Sequence, residues 1–472
     1  MRSFLILLAS LFIHSFSYGQ WGGYETGIFS GVHALYIQPA DIANTHYKFD
    51  GNLLSLKLTL FGNQVVPETS VAGALTSSGI FDLDRYFSLK SQEVVLFANT
   101  LLPSGIFAIN QKMAVGFSVR LNAFLINNSS NTILKQIYFN EIEELDGQEF
   151  DNEFVSTYMH GWVSYNASFA SVLINKDKHL FKFGTTVKFL QGIASAKIEF
   201  KDLSFNVEND ELQNLEANIA LVYSESIDDL VDGNSPRLKG RYGGGVDIGF
   251  SYEYRPKQYR INNYLGYKFK AGISLLQIGA ITYQKGESSL DFRAGVEHLS
   301  LSTFESVQTF DEFSDSLKSA FNVENDSSEI YVFKLPMVFS LQFDYNLGKN
   351  FYLHINPSIT FFQLMIKGDD NLTNSYRVAI TPRFETKRYG VYLPLIYDNH
   401  FKFSAGISLR WKAFVIGSSN IFSRWFYPKD EQIGTFYGMI KIPILQKEFR
   451  DLGKKKRKAQ SPGSRYLQER LK

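Results

Sequence analysis

The sequence predicts an all-β chain folded as an antiparallel transmembrane β-barrel of about 14 strands, within a range of about 12 to 16. Three observations carry this. Apolar and polar residues alternate along most of the chain, the N-terminus reads as an export signal, and aromatics make up 15% of 472 residues with no linker to divide them. Between Gly244 and Arg255, Val246, Ile248, Phe250, Tyr252 and Tyr254 share one face, while Asp247, Gly249, Ser251, Glu253 and Arg255 share the other. This period of two describes a strand with an apolar side and a wet side. Met113 to Phe124 and Phe401 to Trp411 repeat it. A soluble sandwich would alternate too, so the export signal and the aromatic content are needed to place the strands in a membrane.

The signal comes first. Arg2 supplies a minimal positive region, Phe4 to Phe16 an apolar stretch interrupted by Ser10, His14 and Ser15, and Ser17-Tyr18-Gly19 a cleavage site before Gln20. The apolar run falls short of the ~20 residues a spanning helix needs, so residues 1–19 are expected to be a removable signal peptide. There is no cysteine, which excludes a lipid anchor at the cleavage site, disulfides and thiolate chemistry.

Residues 20–50 hold Gly22, Gly23, Gly27 and Gly31, then Pro39, and have no regular period. A segment this short and irregular is expected to be a hatch inside the barrel, where it can satisfy its backbone against the wet strand faces. The barrel is expected over 51–445. Strand candidates fall at 51–61, 92–102, 112–125, 155–172, 179–191, 193–206, 216–224, 241–255, 266–275, 277–284, 289–298, 335–346, 350–363, 375–385, 387–396, 401–411, 413–421 and 434–445. These exceed the expected number, so some are halves of one strand or belong to loops. Pro382, Pro394 and Pro443 should mark bulges, strand ends or parts beyond the membrane, since each lacks a donor. Phe422, Trp425, Phe426 and Tyr427 suit an interfacial girdle.

Two further stretches break the strand pattern. Asn127 to Asn152 is acidic and reads as an exposed loop. From Ser302 to Asn325, Phe304, Val307, Phe310, Phe313 or Leu317, and Phe321 recur at helical spacing. An amphipathic helix follows, packed on the extracellular rim or lining the lumen. Residues 446–472 carry ten Lys or Arg and three acids, a net charge of 10 − 3 = +7. This block is expected to be a disordered periplasmic tail, with Lys454, Lys455, Lys456, Arg457 and Lys458 as a candidate contact for a periplasmic or secretion-system protein.

The chemistry is sparse. The eight histidines are dispersed, and no HExxH, GxSxG or phosphate-binding glycine loop occurs. His160 and His354 fall on wet strand faces and read as lumen residues, and Gly243-Gly244-Gly245 opens a strand, where close packing explains it. The expectation is no catalytic residue, no metal, no cofactor, no nucleic acid, and outer-membrane lipid as the surrounding medium.

The segment from Gly31 to Asn44 (GVHALYIQPADIAN) resembles the start of a family of Bacteroidota outer-membrane proteins catalogued as domain of unknown function 5723. Gln38-Pro39-Ala40 is also similar to the Asn-Pro-Ala element of the long-chain fatty-acid transporter superfamily, with Gln38 in place of Asn. That resemblance implies a 14-stranded barrel with an N-terminal hatch, and makes Gly31, Gln38, Pro39 and Ala40 the candidate hatch motif. Two functions follow as expectations: a passive porter or channel for a small molecule, hydrophobic ones included, or a non-transporting barrel that scaffolds or shuttles partners of a cell-surface or secretion apparatus.

Overall fold

In the computed structural model, residues 23–63, 93–129, 146–208, 211–227, 241–256, 266–300, 310–323, 330–361, 374–399, 402–423 and 431–445 are described. The strands in chain order are β1 (Tyr47–Asn63), β2 (Glu93–Leu101), β3 (Ser104–Ala108), β4 (Met113–Ser129), β5 (Glu149–Lys176), β6 (His179–Glu208), β7 (Glu211–Tyr223), β8 (Tyr242–Tyr254), β9 (Phe269–Gln284), β10 (Leu290–Ser300), β11 (Ile330–Lys334), β12 (Met337–Gly348), β13 (Phe351–Phe361), β14 (Ser375–Glu385), β15 (Tyr389–Tyr392), β16 (Leu395–Asp398), β17 (Lys402–Ala405), β18 (Ile407–Trp411), β19 (Phe414–Ser418) and β20 (Glu431–Leu445). All join one antiparallel sheet that closes where β1 pairs with β20, from Tyr47↔Leu445 to Asn63↔Glu431.

β7 and β10 stand outside the ring. Among the other eighteen, β2 with β3, β11 with β12, β15 with β16 and β17 with β18 each form one interrupted strand, which leaves 18 − 4 = 14 wall positions. Three interruptions fall at Pro103, Pro336 and Pro394, and the fourth at Gly406. Proline has no N–H to give to a ladder, and glycine has no side chain to hold a strand straight. The first strand starts at Tyr47, earlier than the boundary expected at Gly51, because Tyr47 and Phe49 already pair with Leu445 and Ile444.

Alternation sorts the wall. On β8, Phe250 is 48% exposed and Ser251 only 3%. Val187, Ile273, Phe343, Leu409, Ile416 and Ile440 also point outward, forming the apolar band of a transmembrane barrel. Exposed aromatics border it on both sides. Phe181, Tyr345, Phe351, Tyr389, Trp411 and Phe414 lie near the end with short turns, and Tyr165, Phe189, Tyr242, Tyr376 and Tyr397 lie higher. The short-turn end includes two-residue links such as Lys349-Asn350, both at positive φ (49° and 73°), as tight hairpins require. The C-terminal end of the last strand, Leu445, lies there beside Tyr47, and longer connections occupy the other end. Among the described residues no helix is long and apolar enough to cross a membrane.

β5 and β6 run for 28 and 30 residues, far beyond the ~9 to 11 a spanning strand needs. Their upper halves continue past the ring and pair with β7 and then β10. The helix α1 (Phe310–Phe321) packs Leu317 and Phe321 on this extension, against Leu215, Leu221, Leu290 and Leu299. Ile198 and Phe200 share that face, while Lys197 and Glu199, alternating with them, turn toward Tyr158 in the lumen. The apolar stripe of α1 therefore covers the outer side of the extension and does not line the lumen.

Candidate functional site

The lumen holds two fillings. One is the N-terminal segment, which winds through three short 3-10 turns: Tyr24–Thr26, Gly31–Tyr36 and Pro39–Ile42. Gly23 and Gly31 take positive φ (92° and 62°), which glycine adopts without penalty. A side chain at Gly31 would also run into the Asp50 carboxylate. Gln38 caps the third turn: its backbone is extended, its side-chain oxygen accepts from the Ala40 N–H at 3.3 Å, and Pro39 follows at the first position, where a fixed φ favours the turn.

This segment meets strands right round the ring. The Gln38 amide nitrogen lies 3.0 Å from the Phe250 carbonyl, 3.1 Å from the Ile273 carbonyl and 2.9 Å from Gln342 Oε1. Those acceptors belong to β8, β9 and β12. Pro39 and Ala40 press on Gly184 of β6 and Gly249 of β8, which pair directly, and a Cβ on either would collide with the turn. Gly272 of β9 leaves room for the Gln38 and Gln342 amides in the same way.

Asp41 is the most heavily bonded acid of the segment. Its carboxylate accepts from Lys270 at 2.6 Å, Lys182 at 3.1 Å and the Ser251 hydroxyl at 3.1 Å. Lys182 also reaches Glu253 at 2.7 Å, and Glu253 pairs with Arg255. Burial alone would raise the Asp41 carboxyl, but the two ammonium groups outweigh it and hold the group well below the usual carboxylate range.

Opposite this cluster, the Val32 N–H donates to Asp50 at 2.9 Å, and Lys441 stands 3.1 Å from the same carboxylate. Lys441 also donates to Tyr24 Oη at 2.6 Å and to the Ser30 carbonyl at 2.8 Å. The Ile28 N–H donates to Glu385 on β14 at 3.0 Å, and Tyr36 donates to Asn99 on β2 at 2.9 Å beneath the Arg120 guanidinium of β4. A segment bonded to β1, β2, β4, β6, β8, β9, β12, β14 and β20 lies inside the ring.

The second filling is apolar and belongs to the wall itself. Phe97, Phe124, Tyr158, Trp162, Leu190, Ile281, Tyr283, Tyr331, Phe333 and Leu335 form one buried cluster from β2 round to β11 and the residue that follows it. His160 stacks on Trp162 at 4.5 Å, lies 4.0 Å from the Phe333 ring, and has its Nε2 2.7 Å from Tyr283 Oη. Phe124 of β4 reaches Phe333 of β11 at 6.1 Å across the lumen, so wall side chains fill this side.

Ser55, His33 and Asn52 lie together, but His33 Nε2 faces both Ser55 Oγ (3.3 Å) and Asn52 Oδ1 (3.2 Å). A hydrolytic relay needs the two ring nitrogens to face different partners. Among the described residues no group of three His, Cys, Asp or Glu side chains could hold a metal ion.

A family model matches residues 39–419, most of the barrel together with the Pro39 turn. The chain belongs to the family of unknown function DUF5723. Among solved structures it is similar to the toluene transporter TbuX of Ralstonia pickettii, at a TM-score of 0.45 and 9% identity over 91% of this chain and 99% of that one. A FadL homologue from Pseudomonas aeruginosa follows at 0.43 and 10%, over 90% and 98%. The toluene transporter TodX of P. putida stands at 0.40 and 8%, over 90% and 96%. No curated protein matches the chain in sequence.

The four candidate motif residues, Gly31, Gln38, Pro39 and Ala40, all sit at the contact between the N-terminal segment and the wall. Lys454, Lys455, Lys456, Arg457 and Lys458 lie outside the described residues. Sequence reasoning missed Asp41 with Lys182 and Lys270, Asp50 with Lys441, and the glycines at 184, 249 and 272. The glycines left a signal, since each occupies a wet-face position in a strand where a polar side chain is the norm.

Proposed function

We propose that the chain is exported by the signal in residues 1–19 and resides in the bacterial outer membrane as a passive porter for a small hydrophobic molecule, with residues 20–46 as the hatch that closes it at rest. The observation that carries this reading is the N-terminal segment itself, docked within the ring almost wholly by side-chain and turn contacts, with no strand pairing to the wall among its described residues. A plug held in this way can leave without unravelling the sheet, whereas a segment woven into the ladder could not. The aromatic cluster beside it supports an apolar cargo, since rings offer a solute dispersion contacts and few hydrogen-bond demands.

The test is uptake of a neutral hydrophobic dye, a naphthylamine that fluoresces on partitioning, into outer-membrane vesicles with and without the protein. Faster entry with the protein, but no faster entry of a sugar of similar size, is expected. Equal dye rates in both vesicle preparations would defeat the porter reading. The scaffold alternative depends on the basic tail, and nothing among the described residues favours it.

A further inference from the structure

The outer surface of the wall carries a trough near the short-turn end. Outward positions on a spanning strand ordinarily bear apolar side chains, yet Gly51 of β1 and Gly105 of β3 pair with each other and leave a floor without any. The floor faces outward, since a Cβ on Gly51 would lie 3.6 Å from the Cβ of Ile442, an exposed residue of β20. The Phe49 ring leans over both glycines, 3.0 Å from where a Cβ on either would stand. Phe49, Pro103, Gly105, Phe107, Val115 and Phe117 line a cavity of about 390 Å³ here, within the range of small-molecule sites. Phe107, Val115 and Phe117 are exposed, so the cavity opens toward the lipid.

A cation stands at one end of it. Lys48 is the residue that the register between β1 and β20 skips, from Tyr47 to Phe49. A bulge re-aims a side chain in this way, and Lys48 is exposed, with its ammonium 2.7 Å from the Ala108 carbonyl and 4.2 Å from the centre of the Phe107 ring. Ala108 ends β3, so the charge lies at the short-turn end of the trough, and Pro103 closes the other end. An ammonium has three donors, and the Ala108 carbonyl takes one. Lys112, in the turn that joins β3 to β4, is exposed at the same end. Beyond Leu445, which pairs with Tyr47, residues 446–472 add a net charge of +7.

We propose that this trough binds one phospholipid of the periplasmic leaflet, with an acyl chain on the glycine floor and the phosphate on Lys48. Short turns face the periplasm in bacterial barrels. A head at Lys48 and a tail running up toward Pro103 therefore have the polarity of that leaflet, whereas a lipid of the outer leaflet would bring its tail to the lysine. A neutral hydrophobic solute would fill the trough and leave the charge unmet. Attraction between the lysine and an anionic headgroup adds to the burial of the chain. Such a site needs only a barrel seated in a bilayer and is independent of whether the hatch opens.

The test is native mass spectrometry of the full-length barrel after exchange into phosphatidylglycerol or, in a parallel sample, diacylglycerol with the same chains, with heat-modifiable mobility confirming that each variant is folded. One phosphatidylglycerol per chain should survive activation that strips the remaining lipid, and diacylglycerol should not. Lys48→Gln should lower that retention about fivefold, the loss expected for one lysine at a headgroup. Lys349→Gln, exposed in the β12–β13 turn on the opposite side of the ring, should leave it unchanged. Gly105→Leu fills the floor and should lower retention at least as far as Lys48→Gln does. Equal loss in the two lysine variants would reveal general attraction to charge and overturn the site. Retention untouched by Lys48→Gln but lost in Gly105→Leu would make the occupant an uncharged chain and overturn the phospholipid. No retained lipid in the unaltered chain would overturn the proposal outright.

Discussion

The aromatic cluster and the N-terminal segment fill the same lumen, the first with side chains of the wall strands and the second with a stretch of chain that adds polar contacts to apolar burial. Trp162, Phe333 and Tyr283 are side chains of the wall strands, placed inward by the alternation that places Phe189 and Phe343 outward. They cannot leave unless the strands do, and their stabilisation is non-directional burial. The N-terminal segment reaches the wall through hydrogen bonds and ion pairs around Gln38 and Asp41, and also through apolar burial, with Val32, Leu35 and Ile42 in one cluster with Leu101, Ile106, Val172 and Leu180. One filling is therefore part of the wall, and the other is a stretch of chain seated inside it by side-chain and turn contacts.

Substitutions can split the two. The largest effects are expected at Asp41 and Trp162, and they should fall on different observables. Asp41→Ala takes from Lys270 its carboxylate partner and leaves Lys182 with Glu253 alone, at a cost of roughly 3–5 kcal/mol to docking. Bilayer recordings should show frequent opening from a barrel whose unheated mobility is unchanged. Trp162→Ala removes a buried indole and should cost about 3–5 kcal/mol of barrel stability, read as an earlier loss of heat-resistant mobility, with the hatch still seated. If the two variants exchange phenotypes, the division between wall and plug is wrong.

Next in size is the pair on β8. Phe250→Arg puts a charge into the apolar band and should destabilise the barrel by roughly 2–4 kcal/mol near the midplane. Alternation by itself suggests that Ser251→Arg would be tolerated as a change in a wet lumen. The structure corrects this, because the Ser251 hydroxyl donates to Asp41 and its side chain is buried under the hatch. Ser251→Arg should leave the barrel folded and raise conductance, and a closed, folded Ser251→Arg channel would count against the contact. The smallest effect is expected at Gln38. Gln38→Ala leaves backbone carbonyls and Gln342 without their donor, worth about 1–3 kcal/mol of docking, seen as brief openings in long recordings.

The barrel was largely legible because alternation is local: five residues of β8 declare both faces. Of the prolines singled out, Pro394 does interrupt a strand, whereas Pro382 and Pro443 lie within β14 and β20, and the breaks at Pro103 and Pro336 went unread. The helix was legible in its stripe, with Leu317 and Phe321 where the period put them, but its partner was not, since a stripe names no neighbour. The docking contacts were hidden for the same reason. Asp41 meets Lys182 and Lys270 across separations of 141 and 229 residues, and only closure of the ring brings them together. The motif around Gln38 located the contact without revealing what it touches.

The most direct test of a separable hatch is the conductance of a variant that keeps the signal and lacks residues 20–45, inserted in planar bilayers after its heat-modifiable mobility is checked. The account predicts a folded barrel that stays open with a conductance well above that of the full chain. A folded barrel with unchanged conductance, or a chain that no longer forms a barrel, would contradict it.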